Sequence, residues 1–154
     1  MLEVQTPADM AAYVGKKIGT SEWLLIDQKR IDDFAKVSGD ENWIHIDVER
    51  AKRELPNGKT IAHGMLTLSL VTFLGAEISK VKERSRGINY GSNKVRFTAP
   101  VPVDSRIRLH RTLEKCEVTD GGARLTFGNT IEIEGVDRPA LVAETISMVF
   151  AKGK

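Results

Sequence analysis

A chain of 154 residues is the size of one domain, long enough to bury a real core and short for two. Its 23 basic and 21 acidic residues leave a net charge of +2, with no basic stripe and no interleaved aromatics, so nucleic acid is not an expected partner. The start lacks the basic and apolar regions of a signal peptide, no apolar run is long enough for a membrane span, and a single cysteine, Cys116, forbids an intrachain disulfide, so a cytoplasmic home is expected.

Residues 1–19 read as a polar, weakly amphipathic lead-in, with Met10, Ala11, Tyr13 and Val14 as helix contacts and Gly15 as a stop. Trp23-Leu24-Leu25-Ile26 is a short apolar run bounded by polar groups, which predicts a buried strand. Asp27 stands where an N-cap belongs, Ile31, Phe34 and Ala35 follow at helical spacing, and Gly39 falls just past the last turn; together they predict a helix. Asp47 is placed to cap a second short helix, Val48 to Glu54, and Pro56-Asn57-Gly58 predicts a turn. From His63 to about Ser79 the apolar residues point in nearly every direction, which predicts a helix buried on most sides. Ser69 and Thr72, three apart, share one face and are its few polar positions.

The second half changes to a period of two. Val95 and Phe97, then Ile107, Leu109 and Leu113, then Leu125, Phe127, Ile131 and Ile133 alternate with polar neighbours, and Val142 to Phe150 closes the chain as another apolar strand. Asp120-Gly121-Gly122 is a hairpin signal. The pattern predicts an α+β fold, a curved antiparallel sheet wrapped around one long buried helix. Such a sheet leaves an edge open, and an edge-to-edge homodimer is the expected remedy. No repeat or linker is visible, so residues 1–154 read as a single domain with its core at about 20–150.

Acid and base groups crowd together in Ser38-Gly39-Asp40-Glu41-Asn42-Trp43-Ile44-His45-Ile46-Asp47. Asp40 and His45 lie beyond a helix stop and converge if the segment between them is a tight irregular turn. A carboxylate and an imidazole holding one water between them are general acid–base equipment. Asn42 reads as a turn-former, Asp47 as a helix cap, and His63 as a hydrogen-bonded residue at the head of the central helix. Gly64 opens that helix and leaves an unshielded N–H at the positive end of its dipole. Asp40, His45, Asp47 and His63 have no standard metal-ligand spacing, so no metal is expected. Lys80, Lys82, Arg84 and Arg86, and the strand residues Lys94, Arg96, Arg106 and Arg108, read as solvated faces.

The block Ser38-Gly39-Asp40-x-Asn42-x-x-His45-x-Asp47 resembles the signature of the (R)-specific enoyl-CoA hydratases, or MaoC-like dehydratases. Ile61-Ala62-His63-Gly64-Met65-Leu66 and Arg96-Phe97 with Pro100-Val101-Pro102-Val103 are similar to later blocks of that family, in the same order. Trp43, where most of the family has proline, together with Glu49-Arg50-Ala51 and Asn89-Tyr90-Gly91, is similar to the branch related to nodulation protein N. The resemblance spans roughly residues 20–150 and implies the hot-dog fold.

It further implies reversible (R)-specific hydration of trans-2-enoyl-CoA to (R)-3-hydroxyacyl-CoA, without cofactor or metal, the coenzyme A thioester being the substrate. Asp40 and His45 would hold the water, with base and acid roles left open because a close pair titrates as a unit. Gly64 would donate to the thioester oxyanion, and Asn42, Trp43, His63, Ser69 and Thr72 would line the substrate, Trp43 as a pocket wall. Two other readings stand beside it: an acyl-CoA thioesterase, and a non-catalytic acyl-thioester-binding module on the same fold. Acyl chain length, carrier-protein against CoA thioester, and pathway are not legible in the residues.

Overall fold

The computed structural model describes residues 1–153. In chain order its elements are β1 (Leu2–Val4), a 3₁₀ helix (Pro7–Tyr13), β2 (Lys16–Thr20), β3 (Leu24–Ile26), α1 (Gln28–Ser38), α2 (Trp43–Ile46), α3 (Val48–Glu54), α4 (Gly64–Ala76), β4 (Ser79–Val81), β5 (Arg84–Phe97), β6 (Ser105–Thr119), β7 (Gly122–Ile133) and β8 (Val136–Ala151). The α+β expectation holds, and β6, β7 and β8 lie where the period of two placed them; β5 begins at Arg84, well before the expected alternation of Val95 and Phe97.

The main sheet runs β2-β6-β7-β8-β5, every neighbour antiparallel, and β3 also pairs with β6. β5 is the first long strand in the chain yet pairs with the last, β8, and forms one sheet edge. Alternate residues of a strand face one side. On β6 these are Ile107, Leu109 and Leu113, all fully buried. Ile107, Leu109, Ile131, Leu141 and Ala143 pack with Leu66, Leu70, Val71 and Leu74 of α4 in the main core, and Leu113 belongs to a second cluster around Met10.

The caps form as the residues dictate. The Asp27 carboxylate accepts from the Arg30 N–H at 2.9 Å and the Asp47 carboxylate from the Arg50 N–H at 2.9 Å. The lead-in departs from expectation. Its helix is 3₁₀ rather than α, fixed by Pro7 in the first turn and by the Thr6 N–H donating to Asp9 at 2.8 Å. Met10 is buried there against Leu113, Leu125 and Val149, and Leu2 to Val4 pair in parallel with Ser79 to Val81.

The central helix is also shorter than expected and less enclosed. It stops at Ala76, because Ile78 turns inward against Gly19, where a Cβ would stand 2.8 Å from its methyl, and Ser79 enters β4. The sheet covers one side of α4, and Met65 and Phe73 on the other side are 58% and 54% exposed in the single chain. β5 likewise bares Ile88, Tyr90 and Phe97 along the open edge. Arg106 and Arg108 pair with Glu134 and Glu132 across the β6–β7 ladder, and Lys94 with Glu144, so these strand cations are partnered by carboxylates. No helix among the described residues is long and apolar enough to cross a membrane.

Candidate functional site

The site begins with the end of α1. Gly39 adopts φ +76°, a left-handed conformation that disfavours any side chain, and its N–H donates to the Ala35 carbonyl at 2.8 Å. The chain then folds back through side-chain bonds. The Asp40 N–H donates to Ser38 Oγ at 3.3 Å, the Asn42 N–H to Asp40 Oδ1 at 3.4 Å, and the Ile44 N–H to Asn42 Oδ1 at 3.3 Å. Asn42 thereby caps the single turn α2, which carries His45 inward.

His45 is buried and its Nδ1 lies 2.6 Å from the Ile61 carbonyl oxygen. His63, just before α4, is 2% exposed, and its Nε2 lies 2.8 Å from the Asp40 carbonyl oxygen. The two imidazoles stack, centroids 3.7 Å apart and planes inclined by 26°, and the Phe34 ring of α1 lies 5.0 Å from His63. One ligand atom from each of Asp40, His45 and His63 lies within 4.8 Å of the other two. The turn after Gly39 therefore does bring the carboxylate to the imidazole, with Asp40 exposed at the surface and His45 behind it.

A carbonyl oxygen can only accept, so each bond fixes a tautomer. His45 carries its proton on Nδ1 and leaves Nε2 as a free acceptor; His63 carries its proton on Nε2. Burial pushes the His45 pKa below its ordinary value, more than the Ile61 carbonyl bond and the Asp40 carboxylate raise it, and His63 pushes it the same way as burial. At neutral pH His45 is thus an uncharged ring with one basic nitrogen. The same stack argues against a shared metal ion. Nitrogen lone pairs lie in the ring planes, and two stacked rings with centroids 3.7 Å apart and planes inclined by 26° aim theirs side by side rather than at one ion.

His45 borders a cavity of about 280 Å³ whose other walls include Gly64, Thr67, Phe97, Val101 and Ala140. Gly64 is the first residue of α4, and its N–H has no acceptor among the described residues, as expected for a first helical turn. A Cβ on Gly64 would stand 2.9–3.0 Å from three atoms of the Phe97 ring, so close packing alone also demands glycine here.

None of the five expected substrate contacts lines this cavity. Asn42 and His63, like Asp40, border neither cavity because their side chains hold the turn and the ring behind His45, and the other three lie elsewhere. Ser69 and Thr72 line a second cavity, of about 470 Å³, on the neighbouring face of α4, and the Ser69 hydroxyl donates to the Leu66 carbonyl at 2.7 Å. Trp43 lines neither cavity; its ring carries the Arg50 guanidinium at 4.0 Å and joins α2 to α3. The reason is the direction of α2: capped by Asn42, it turns His45 toward Ile61 and Trp43 toward α3. Sequence reasoning missed Phe97 as a wall and the Ile61 carbonyl as the histidine's anchor. Phe97 was legible as a strand residue and as part of the Arg96-Phe97 block but not as a wall, and a main-chain acceptor leaves no mark in a sequence.

A family model described as MaoC like domain matches residues 9–134. The 3-hydroxyacyl-thioester dehydratase Z of Mycobacterium tuberculosis is 46% identical over 147 residues, which cover 95% of this chain and 97% of that protein. Nodulation protein N of Rhizobium leguminosarum bv. viciae is 41% identical over 144 residues, covering 92% of this chain and 89% of the relative. Among solved structures, an R-hydratase from Pseudomonas aeruginosa in its unliganded form superposes with a TM-score of 0.73 at 23% identity, over 90% of this chain and 83% of that one. That likeness carries the fold, and the hot-dog architecture is the one observed.

Proposed function

Because the chain belongs to the MaoC-like domain family, we propose that it hydrates trans-2-enoyl-CoA thioesters reversibly to (R)-3-hydroxyacyl-CoA, with Asp40, His45 and Gly64 as the working groups. The activity class, a hydro-lyase on acyl thioesters, follows from the family and from the dehydratase to which the chain is 46% identical. The observation that carries the residue assignment is the free Nε2 of a neutral, buried His45 beside the Asp40 carboxylate, with an unengaged helix amide on the same cavity.

In the forward direction His45 Nε2 accepts a proton from the water as the water oxygen bonds to C3. Asp40 orients that water and favours the imidazolium that forms. Electron density moves to the thioester oxygen, which the Gly64 N–H receives at the positive end of α4. The imidazolium then returns the proton to C2 as the enolate collapses. Nothing is lost from the chain, and the reverse sequence is dehydration. His63 acts behind His45, holding the Asp40 main chain and stacking on the reacting ring. A homodimer, in which a second copy covers the exposed residues of β5 and α4, completes the reading.

The test uses a trans-2-enoyl-CoA substrate followed in two channels. Loss of the conjugated enoyl absorbance with no free thiol, and a product of R configuration at C3, supports hydration. Thiol release at the rate of substrate loss would replace it with a thioesterase. Binding without turnover would leave an acyl-thioester-binding module.

A further inference from the structure

The outer face of the sheet carries a base set against an amine, and the group shares no residue with either cavity. His110 points outward from β6, between the inward Leu109 and Arg111. Its Nε2 lies 2.5 Å from Glu132 Oε2 on β7. Its Nδ1 lies 3.1 Å from Lys17 Nζ and 3.0 Å from Thr20 Oγ1, both on β2. Lys17 and Thr20 are three residues apart and would face opposite sides of a regular strand. The register of β2 against β6 shifts between Lys17 and Gly19, and this bulge turns both side chains toward His110.

A carboxylate only accepts and an ammonium only donates, so the tautomer follows. His110 carries its proton on Nε2, toward Glu132, and presents the Nδ1 lone pair to Lys17. Glu132 is itself fixed, since Arg108 donates to both its oxygens, from Nε at 2.7 Å and from Nη2 at 3.1 Å. The bonds from Arg108 and His110 hold the Glu132 carboxyl below its ordinary pKa, so it stays an anion behind the imidazole. Carboxylate, imidazole and amine thus stand in the order in which a general base is oriented and aimed at a nucleophile.

The amine is set apart by its partner. Lys29, Lys52, Lys82 and Lys94 meet carboxylates and Lys16 a carbonyl, contacts that hold a lysine as an ammonium. Among the described residues Lys17 alone meets a nitrogen lone pair that can take its proton. Lys17 is exposed, and β2 is the sheet edge opposite β5, so a second copy covering β5 and α4 leaves it open.

We propose that Lys17 is a self-acylation site, where an acyl-CoA thioester transfers its acyl group to the side-chain amine with His110 as general base. His110 Nδ1 takes one proton from the ammonium, and Glu132 stabilises the imidazolium that forms. The freed amine attacks the thioester carbonyl carbon; an N–C bond forms and the C–S bond breaks. The leaving thiolate takes a second proton from the nitrogen, the third stays on the amide, and His110 returns its proton to solvent. Nothing is oxidised or reduced, and the products are an acyl-lysine and the free thiol of coenzyme A. The proposal goes beyond hydration and does not depend on it, because the thioester need carry no double bond.

The folded protein is incubated with acetyl-CoA, and acetylation of each lysine is followed by site-resolved mass spectrometry. Lys17 should react at least about tenfold faster than the exposed Lys36 and Lys59, a margin below the roughly 10²–10⁴-fold that a positioned general base typically contributes. The excess should vanish in folded His110→Gln. It should vanish equally in urea-unfolded wild type, which keeps the readout should His110→Gln fail to fold. Lys17 reacting no faster than Lys36 and Lys59, an excess that survives unfolding or persists in folded His110→Gln, or acetyl appearing on Thr20 in place of Lys17 would overturn the proposal.

Discussion

Gly64→Ala separates the two reasons for a glycine at the head of α4. The residue lies in an ordinary helical conformation, so alanine brings no backbone strain. It brings a methyl 2.9–3.0 Å from three atoms of the Phe97 ring, where ordinary contact begins near 3.4 Å. Overpacking of this kind costs about 1–3 kcal/mol. For a domain of this size each kcal/mol lowers Tm by about 3 °C. Phe97 is 48% exposed at the sheet edge and has room to yield, which favours the lower end of that range. The catalytic effect has a different origin. Alanine keeps the N–H, but the clash pushes the first turn away from its place, and complete loss of an oxyanion donor raises a barrier by about 3–4 kcal/mol. A partial displacement should still lower kcat at least about tenfold. Thermal unfolding and steady-state hydration kinetics are measured on Gly64→Ala, Phe97→Ala and the double variant. In the Phe97→Ala background the stability penalty of the methyl should nearly vanish. An unchanged Tm in Gly64→Ala would refute the packing argument; a lowered Tm with unchanged kcat would refute the amide as oxyanion donor.

Asp40→Asn and His45→Gln should each lower turnover by at least about two orders of magnitude; Asp40→Asn should leave Tm close to wild type because Asp40 is exposed, and full activity in either would undo the site assignment. The folded chain binds a proton at His45 less readily than the unfolded chain, whose ordinary value is 6.5. The stability it contributes is therefore complete above that value and is lost as pH falls from about 6.5 toward the lowered pKa, and urea titrations across this window should lose that slope in His45→Gln. For the same reason the acid limb of kcat/KM should fall below pH 6.5; a limb above it would mean that His45 is not the base. Trp43→Ala should leave acyl-chain preference unchanged and loosen α2 from α3 by about 0.5–1 kcal/mol, read by denaturant unfolding, since its ring holds Arg50 and borders neither cavity. Tyr90→Lys on the open edge should shift sedimentation toward the monomer, and an unchanged profile would exclude that edge as the dimer contact.

The residues by themselves determined the parts of this protein whose causes are local. Asp27, Asn42 and Asp47 cap the helices that follow them, and Gly39 ends α1, because a capping oxygen and a left-handed glycine act within a few residues of the backbone they satisfy. The strands β6, β7 and β8 were legible because one buried face imposes a period of two, whereas β5, which buries no residue, was legible only at Val95 and Phe97. The tight turn that joins Asp40 to His45 was legible from Gly39 and Asn42. Tertiary structure decided what depends on partners distant in the chain. The pairing of β5 with β8 was set by closure of the sheet, and the parallel β1–β4 pair by the docking of the lead-in. The tautomers of His45 and His63 were set by the Ile61 and Asp40 carbonyls, which any residue type could have supplied. His110 lies between these cases. Its outward register follows from its place beside the inward Leu109, but that it is a base held by Glu132 and aimed at Lys17 required the β6–β7 ladder and the bulge of β2 to be seen together.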